Sequence, residues 1–373
     1  MTGYYFASHR FYPNPPHWFP APHWYLPMST TLNAAAPSDM HAPDWRARPK
    51  VLLHEHLDGG LRAQTLLELC RAKAVPLPAD TAAAVVRWIQ GNAQSGSLER
   101  YVQAFGPIVA AMASVAACER VAFEAAEDAR LDGCVLAEFR MAPTLLEAHG
   151  LSAEAATEAL LAGLARSSLP TGLIVCAMRT DPPEQAQRSA RLAARYRSAG
   201  VVGFDLAGAE RGFPATLHAQ AVAIARDAGL GLTLHAGEAD EGVRVLEAAQ
   251  LGATRIGHGV HVALGPDAQR LMDTLRPFNL HFEVCPTSNI HTGVVRSVAE
   301  HPIRAMWDAG LNLSCNTDNR LISGVTLSGE LHAVHTQAGF SESDVRQMML
   351  NAAHSSFLPE YVRNKAVASV LSA

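Results

Sequence analysis

Basic residues are too few in this sequence for a broad nucleic-acid-binding surface. The 373 residues include 30 Lys and Arg against 35 Asp and Glu, which gives a formal net charge of −5. A phosphate backbone is bound by clustered cationic side chains, so we expect no nucleic-acid partner. A pocket for one small nucleobase or nucleoside needs no such cluster and stays open.

Long apolar runs are also missing. No run approaches the roughly 18 residues that a membrane-spanning helix requires. The N-terminus lacks a basic segment followed by an apolar stretch, the pattern of a secretory signal. We therefore expect neither membrane association nor export.

Cysteines are few, and no two of the six form a CxxC pair. Buried thiols of this kind are typical of proteins in a reducing compartment. The predicted location is therefore the cytoplasm, and a cysteine-based zinc site is not expected. Four of the six lie in segments that we predict below to be buried strands: Cys134, Cys176, Cys285 and Cys315.

Hydrophobic periodicity is absent from residues 1–48, which are rich in proline and aromatic side chains. Proline at this density removes backbone donors and blocks both helices and strand ladders. We predict an irregular N-terminal arm over 1–48 and one folded catalytic unit over 49–373.

From residue 49 onward, short β-branched runs alternate with stretches of helical spacing. This alternation predicts a parallel sheet, and eight such units predict an α/β fold closed into a (β/α)8 TIM barrel. Residues 57–133 are too many for one helix, so we expect extra helices inserted after the first strand. The predicted strands are 51–56, 134–141, 172–179, 201–208, 232–238, 255–260, 281–286 and 311–318.

The run His54-Glu55-His56 closes the first predicted strand. Residues i and i+2 of a strand point to the same side, so both imidazoles would face the barrel interior. Two nitrogens at this position form half of a metal site. Taken alone, the pair is equally consistent with hydrogen-bonded core histidines.

Two further candidate ligands lie at the ends of other strands. His235 ends the fifth predicted strand and Asp318 ends the eighth. Catalytic residues of such barrels lie at the carboxyl ends of several strands, although an Asp after a strand is also a common turn or capping residue. Three histidines and one carboxylate suit zinc with an open position for water. We predict one zinc ion per chain, bound by His54, His56, His235 and Asp318.

Other residues near these strand ends could take part in chemistry. Glu238 is a carboxylate beside the predicted metal and a natural proton carrier, although a lone Glu here also suits a helix cap. His258 ends the sixth predicted strand between two glycines, and a core histidine is the alternative. Gly208 could offer a backbone N–H to a ligand, although a turn glycine is the commoner role.

Six motifs in chain order resemble the adenosine deaminase family of the amidohydrolase superfamily, over about residues 49–340. They are HEHLDG, DLAG, LHAGE, RIGHGVH, EVCPTSN…TG and NTDN. The resemblance implies a metal-dependent hydrolase barrel with one zinc. It also implies deamination of adenosine and 2′-deoxyadenosine to inosine and 2′-deoxyinosine in purine salvage, with a purine nucleoside as small-molecule partner. A homo-oligomer stays open.

The resemblance also implies roles for individual residues. Asp58, with the ligand His56, would contact the substrate on the ribose 5′ side, and Gly208 would donate its N–H to purine N3. Glu238 would protonate N1, and His258 would orient and deprotonate the attacking water. The run SLERYVQAF resembles the family's lid helix, which implies four lid residues over the ribose: Leu98, Tyr101, Val102 and Phe105.

One position departs from the best-known members of the family. Asn319 follows the ligand Asp318 where those members have a second Asp. The side chain is expected to contact purine N7, and an Asn amide donates there without first taking up a proton. Because NTDN also occurs in relatives acting on other adenine derivatives, deamination of 6-aminodeoxyfutalosine or adenine is an alternative. A non-catalytic nucleoside-binding barrel is a remote one.

Overall fold

Eight parallel strands, hydrogen-bonded in chain order, form the centre of the computed structural model, which describes residues 43–94 and 105–373. Each strand is buried over most of its length, as expected for a parallel sheet covered on both faces. The strands are β1 (Lys50–Leu52), β2 (Cys134–Met141), β3 (Thr171–Met178), β4 (Val201–Ala207), β5 (Gly231–Ala236), β6 (Arg255–His258), β7 (His281–Val284) and β8 (Asn312–Cys315).

The first and last strands meet just beyond their carboxyl ends. A parallel bridge joins Glu55 to Asp318. His56 N donates to Asp318 O at 2.7 Å, and Asp318 N donates to His54 O at 2.9 Å. Leu53 N donates instead to the Asn316 side chain, Oδ1, at 2.9 Å. These contacts form a seam between β1 and β8 that closes the sheet, so the predicted (β/α)8 barrel is confirmed.

All eight predicted strands are present, but several end earlier than predicted. β6 ends at His258 and β8 at Cys315. The backbone adopts a left-handed conformation at His258 and again at Asp318, each with φ 61°. Such angles are uncommon outside glycine. At His258 this turn ends β6, whereas β8 ends three residues before Asp318. On the side of β1 away from β2, Val51 N and Leu53 N donate to the side chains of Met349 and Asn316 in place of ladder bonds.

Helices cover the outside of the barrel, and the extra helices predicted after β1 are present. Ser114 and Ser341 each cap the N-terminus of a barrel helix: the serine hydroxyl accepts a hydrogen bond from the backbone N–H three residues ahead. The α-helices are Leu57–Gly60, Ala63–Ala72, Ala82–Ala93, Gly106–Met112, Val115–Leu131, Ala153–Ala165, Pro183–Arg195, Ala219–Asp227, Val243–Gln250, Ala268–Leu275, Pro286–His291, Ile303–Asp308, Arg320–Ser323, Leu327–Gln337, Glu342–Ser355 and Glu360–Leu371.

The predicted arm over 1–48 lies outside the described residues except for 43–48. Within that stretch Trp45 is buried in the core, and Lys50 Nζ donates to Trp45 O at 2.5 Å and to Arg48 O at 2.9 Å. All six cysteines are buried and free. Among the described helices, none has the length and apolarity needed to cross a bilayer.

Candidate active site

Four predicted metal ligands converge at the carboxyl ends of β1, β5 and β8. The His56 and His235 Nε2 atoms are 3.4 Å apart. Asp318 Oδ1 lies 3.3 Å from His54 Nε2 and 3.5 Å from His56 Nε2. Two ligand atoms at about 2.0–2.1 Å from a tetrahedral zinc are separated by about 3.4 Å. The spacing therefore fits one zinc ion held by these four side chains.

Carboxylates behind the cluster set the orientation of two of the imidazoles. His54 Nδ1 lies 2.9 Å from Glu283 Oε2, and His235 Nδ1 lies 2.9 Å from Asp205 Oδ2. Each carboxylate accepts the Nδ1 proton, which leaves the Nε2 lone pair for a metal. His54 Nε2 is buried without a hydrogen-bond partner, as a ligand atom would be. The donor set and its tautomers fit a metal.

Two buried arginines hold these carboxylates in the charged form. Arg140 donates to Asp205 at 2.8 Å and to Glu283 at 2.6 Å, and Arg255 donates to Glu283 at 2.5 Å. Although burial favours the neutral acid, the two guanidinium groups keep the pKa of Glu283 well below its usual range. We did not assign these residues from the sequence. Their only signal is a charged residue inside an apolar strand, as at Arg140 in CVLAEFRM.

The helix after β7 supplies two more contacts that sequence reasoning missed. Ser288 Oγ donates to Asp318 Oδ2 at 2.6 Å, which leaves Asp318 Oδ1 facing the histidines. Asn289 Nδ2 donates to His258 Nδ1 at 3.1 Å. Both residues belong to the EVCPTSN motif, to which we gave no role.

A hydrogen-bond chain fixes the tautomer of His258. Ile303 N donates to His301 Nδ1 at 3.0 Å, so His301 Nε2 carries a proton and donates to Asn289 Oδ1 at 3.1 Å. The Asn289 amide nitrogen therefore faces His258 Nδ1, and the proton of a neutral His258 is on Nε2. Burial holds the pKa of His258 well below its usual range, which favours that neutral form.

This tautomer bears on what His258 does. Its ring nitrogen lies close enough to join the cluster, since one ligand atom each of His54, His235, His258 and Asp318 lie within 4.8 Å of one another. A protonated Nε2 cannot coordinate a metal, however. It is suited to donate a hydrogen bond to an attacking water, and less suited to remove a proton from it.

Glu238 lies in the loop after β5, buried and outside the group of ligand atoms. Its Oε2 is 3.7 Å from His258 Nε2. Burial, assisted by the negative charge of Asp318, raises the pKa of Glu238 to about 8. A carboxyl group with such a pKa holds a proton at neutral pH, as a general acid must.

A cavity of about 390 Å³ opens in front of this cluster. One wall is apolar, and among the described residues that line it there is neither Lys nor Arg. Apart from the ligand cluster, its polar side chains are those of Asp58, His149, Glu238, His258 and Asn319. The lining residues are His56, Asp58, Phe105, Gly106, Val109, Ala142, Leu145, Ala148, His149, Cys176, Met178, Ala207, Gly208, His235, Glu238, His258, Asp318 and Asn319.

Glycines shape two parts of this cavity. Gly208 has φ 91°, and a Cβ there would lie 2.8 Å from Met178 Cε. A Cβ on Gly59 would lie 1.7 Å from Asn319 Oδ1, so Gly59 makes the room that the Asn319 amide occupies. Asp58 Oδ1 is buried without a hydrogen-bond partner, and burial raises the pKa of Asp58 to about 7.

Of the four predicted lid residues, Leu98, Tyr101 and Val102 lie outside the described residues. Phe105 is described, lines the cavity and directly precedes the helix Gly106–Met112. The lid stays a prediction for the other three.

Fold and site together define a barrel hydrolase whose strand ends gather a histidine–carboxylate cluster able to hold a metal. The sequence profile of the family described as Adenosine deaminase matches residues 49–373. The chain belongs to the adenosine deaminase family, as the motifs predicted, and is a hydrolase acting on C–N bonds of amidines.

Individual relatives agree with this assignment. An adenosine deaminase from Mycobacterium marinum is 39% identical over 332 residues, which are 84% of this chain and 91% of the relative. The structure of an Arabidopsis N6-mAMP deaminase has a TM-score of 0.78 and 28% identity, covering 88% of this chain and 99% of that one. A complex of Arabidopsis ADAL with IMP has a TM-score of 0.77 and 28% identity, with 88% and 97% covered.

Proposed function

We propose that the protein deaminates adenosine and 2′-deoxyadenosine by zinc-dependent hydrolysis, giving the inosine nucleoside and ammonia for purine salvage. The observation that carries the proposal is the position of Glu238. This buried carboxyl group, whose pKa burial raises to about 8, lines the cavity beside the ligand cluster, with its Oε2 3.7 Å from His258 Nε2. That arrangement suits a flat aromatic ring that must gain one proton as a nucleophile attacks it.

The roles of the side chains follow from their surroundings. His54, His56, His235 and Asp318 would hold the zinc, which when bound activates water by lowering its pKa to about 7. His258 Nε2–H orients the attacking oxygen toward C6 of the purine. Glu238 gives its proton to N1, so the ring accepts the electron pair as a neutral group. The water supplies both protons that the products need: one returns Glu238 to its acid form and the other goes to the C6 amino group. The C6–N bond then breaks with ammonia as the leaving group, and C6 keeps the oxygen as a carbonyl.

Recognition of the substrate is assigned to three groups on the cavity wall. The Gly208 N–H would donate to purine N3, and the Asn319 amide to N7. The unpartnered Asp58 Oδ1 would accept from a ribose hydroxyl, which restores the hydrogen bond that a buried carboxylate oxygen requires.

The charges of the cavity favour a nucleoside over a nucleotide. A substrate 5′-phosphate calls for cationic or backbone N–H partners. The described lining has no Lys or Arg, and outside the cluster and His258 its only histidine is the exposed His149. Asp58, on the proposed ribose side, would repel the phosphate. Because structural relatives act on or bind nucleoside monophosphates, the activity on adenosine is to be compared with that on AMP and N6-methyl-AMP.

A substrate panel tests the proposal. We expect kcat/KM for adenosine and 2′-deoxyadenosine to exceed the values for adenine, 6-aminodeoxyfutalosine, AMP and N6-methyl-AMP by tenfold or more. The measurement is ammonia release by the zinc-loaded chain. Preference for adenine or 6-aminodeoxyfutalosine would select the alternative that the Asn319 motif allows, and preference for a monophosphate would contradict the charge argument. Inosine binding without any turnover would select the non-catalytic barrel.

The Asn319 contact can be tested with a substrate that lacks N7 as an acceptor. An unpaired buried donor costs roughly 1–3 kcal/mol, so 7-deazaadenosine should react roughly 5- to 160-fold less efficiently than adenosine. In Asn319→Ala this preference should largely disappear, because neither substrate then finds the donor. Equal kcat/KM for both substrates in the parent chain would show that Asn319 is only a turn residue after β8.

A further inference from the structure

Glu210 is a buried carboxylate to which none of the roles above was given. It follows β4 by a few residues, in the run DLAGAE, and is 2% exposed. Its two oxygens accept hydrogen bonds from four consecutive backbone N–H groups of the loop after β5. The donors are Gly237 at 2.5 Å, Glu238 at 3.0 Å, Ala239 at 2.9 Å and Asp240 at 3.1 Å.

These four hydrogen bonds attach the loop after β5 to Glu210 strongly and in a fixed orientation. Successive backbone N–H groups that turn toward one point form a concave anion site, and hydrogen bonds to a charged acceptor are shorter and stronger than neutral ones. In this chain the anion is part of the protein. The Glu210 carboxylate therefore holds the loop segment 237–240 against the end of β4.

The opposite side of the same loop is held as well. His261 donates to Gly237 O through its backbone N at 2.9 Å and through Nδ1 at 3.1 Å. Gly237 itself has φ 65°, which lets the chain turn sharply after β5. Between these contacts the backbone of Glu238 is fixed, and only its side-chain torsions remain to be set.

We propose that Glu210 is a positioning residue, which acts through Glu238 by fixing the backbone from which that carboxyl group reaches the substrate. The inference rests on the proposed function, because Glu238 has a reaction to serve only if the protein is a deaminase. Glu210 does not itself line the cavity, and it reaches the site only through the backbone of the loop that carries Glu238. Its effect should therefore fall on proton delivery and leave metal binding intact.

Glu210→Gln is the sharpest variant, because the amide keeps the size of the side chain but loses the charge and turns an NH2 group toward backbone donors. A misplacement of about 1 Å can cost about 10²-fold in rate, so we expect kcat to fall about 10–100-fold. KM should stay within about threefold and zinc content close to the parent value. Tm should fall, because buried N–H donors lose a charged acceptor, so the kinetics are compared at a temperature where both proteins are fully folded. Glu241→Gln, an exposed carboxylate next to the same loop, is the matched control and should behave as the parent.

A double-mutant cycle separates positioning from a general structural role. In a Glu238→Gln background the proton donor is already gone, so adding Glu210→Gln should lower kcat by no more than about twofold further. A full additional loss in that background, or a Glu210→Gln single variant within twofold of the parent, would overturn the proposal.

Amide hydrogen exchange of the peptide that spans 236–242 gives a readout that needs no turnover. We expect faster exchange in Glu210→Gln than in the parent and in Glu241→Gln. If the parent deaminates adenosine but this peptide exchanges in Glu210→Gln at the parent's rate, the positioning role is overturned and the proposed function stands. A parent chain that carries zinc but deaminates none of the adenine compounds would overturn the proposed function, and the positioning role with it.

Discussion

Glu238→Gln should lower kcat by about 10²–10⁴-fold, the usual contribution of a positioned general acid, while the protein keeps one zinc per chain. The amide has nearly the shape of the acid but no proton to give to N1. Because Glu238 is not among the ligand atoms, the metal should stay. Steady-state kinetics with adenosine, together with elemental analysis of the same sample, provides the measurement.

Glu241→Gln serves as the control here too, since it removes a carboxylate three residues further along without entering the cavity. If Glu238→Gln turns over adenosine within a few-fold of the parent rate, the proton must come from elsewhere. Loss of zinc in this variant would instead place Glu238 among the ligands.

His235→Ala should remove both the metal and the activity. The substitution deletes one of three nitrogen ligands and leaves Asp205 without the imidazole it orients. We expect zinc content to fall to a small fraction of one ion per chain and deamination to fall to the background rate. Mass spectrometry of the metal and ammonia release measure the two effects.

His332→Ala, which changes an exposed histidine on the helix Leu327–Gln337, should leave zinc and rate unchanged. Treating the parent with a chelator should reproduce the inactive state, and added zinc should restore the parent but not His235→Ala. Full zinc occupancy in His235→Ala would refute the four-ligand assignment.

The period-two spacing of His54 and His56 was enough to predict that both face the barrel interior. The strand segments are readable from sequence to within a few residues, which is enough to predict that His235 and Asp318 lie at the same edge of the barrel. The exact ends could not be predicted: β6 ends at a left-handed His258, which residue preferences do not indicate, and β8 ends three residues before the left-handed Asp318. Both of these strained residues belong to the site, where such strain is commonly found.

The sequence pattern does not show which residues that lie far apart in the chain contact one another. Nothing near Glu283 in sequence indicates that it orients His54, and nothing near Asn289 indicates that His301 and Ile303 fix its amide. Such pairs depend on the register of neighbouring strands and on loop conformation. The motifs identified which segments matter, whereas the three-dimensional fold was needed to show what Ser288, Asn289 and Glu210 contact.

The seam between β1 and β8 has a consequence for how the chain folds. The backbone bonds that close the barrel join His54 and His56 to Asp318, so the residues that close the circle are also proposed metal ligands. Contacts between residues so far apart in sequence carry a large loop-closure entropy and form late. A zinc ion bound by these residues would hold the late-forming contact between β1 and β8 together and slow its reopening.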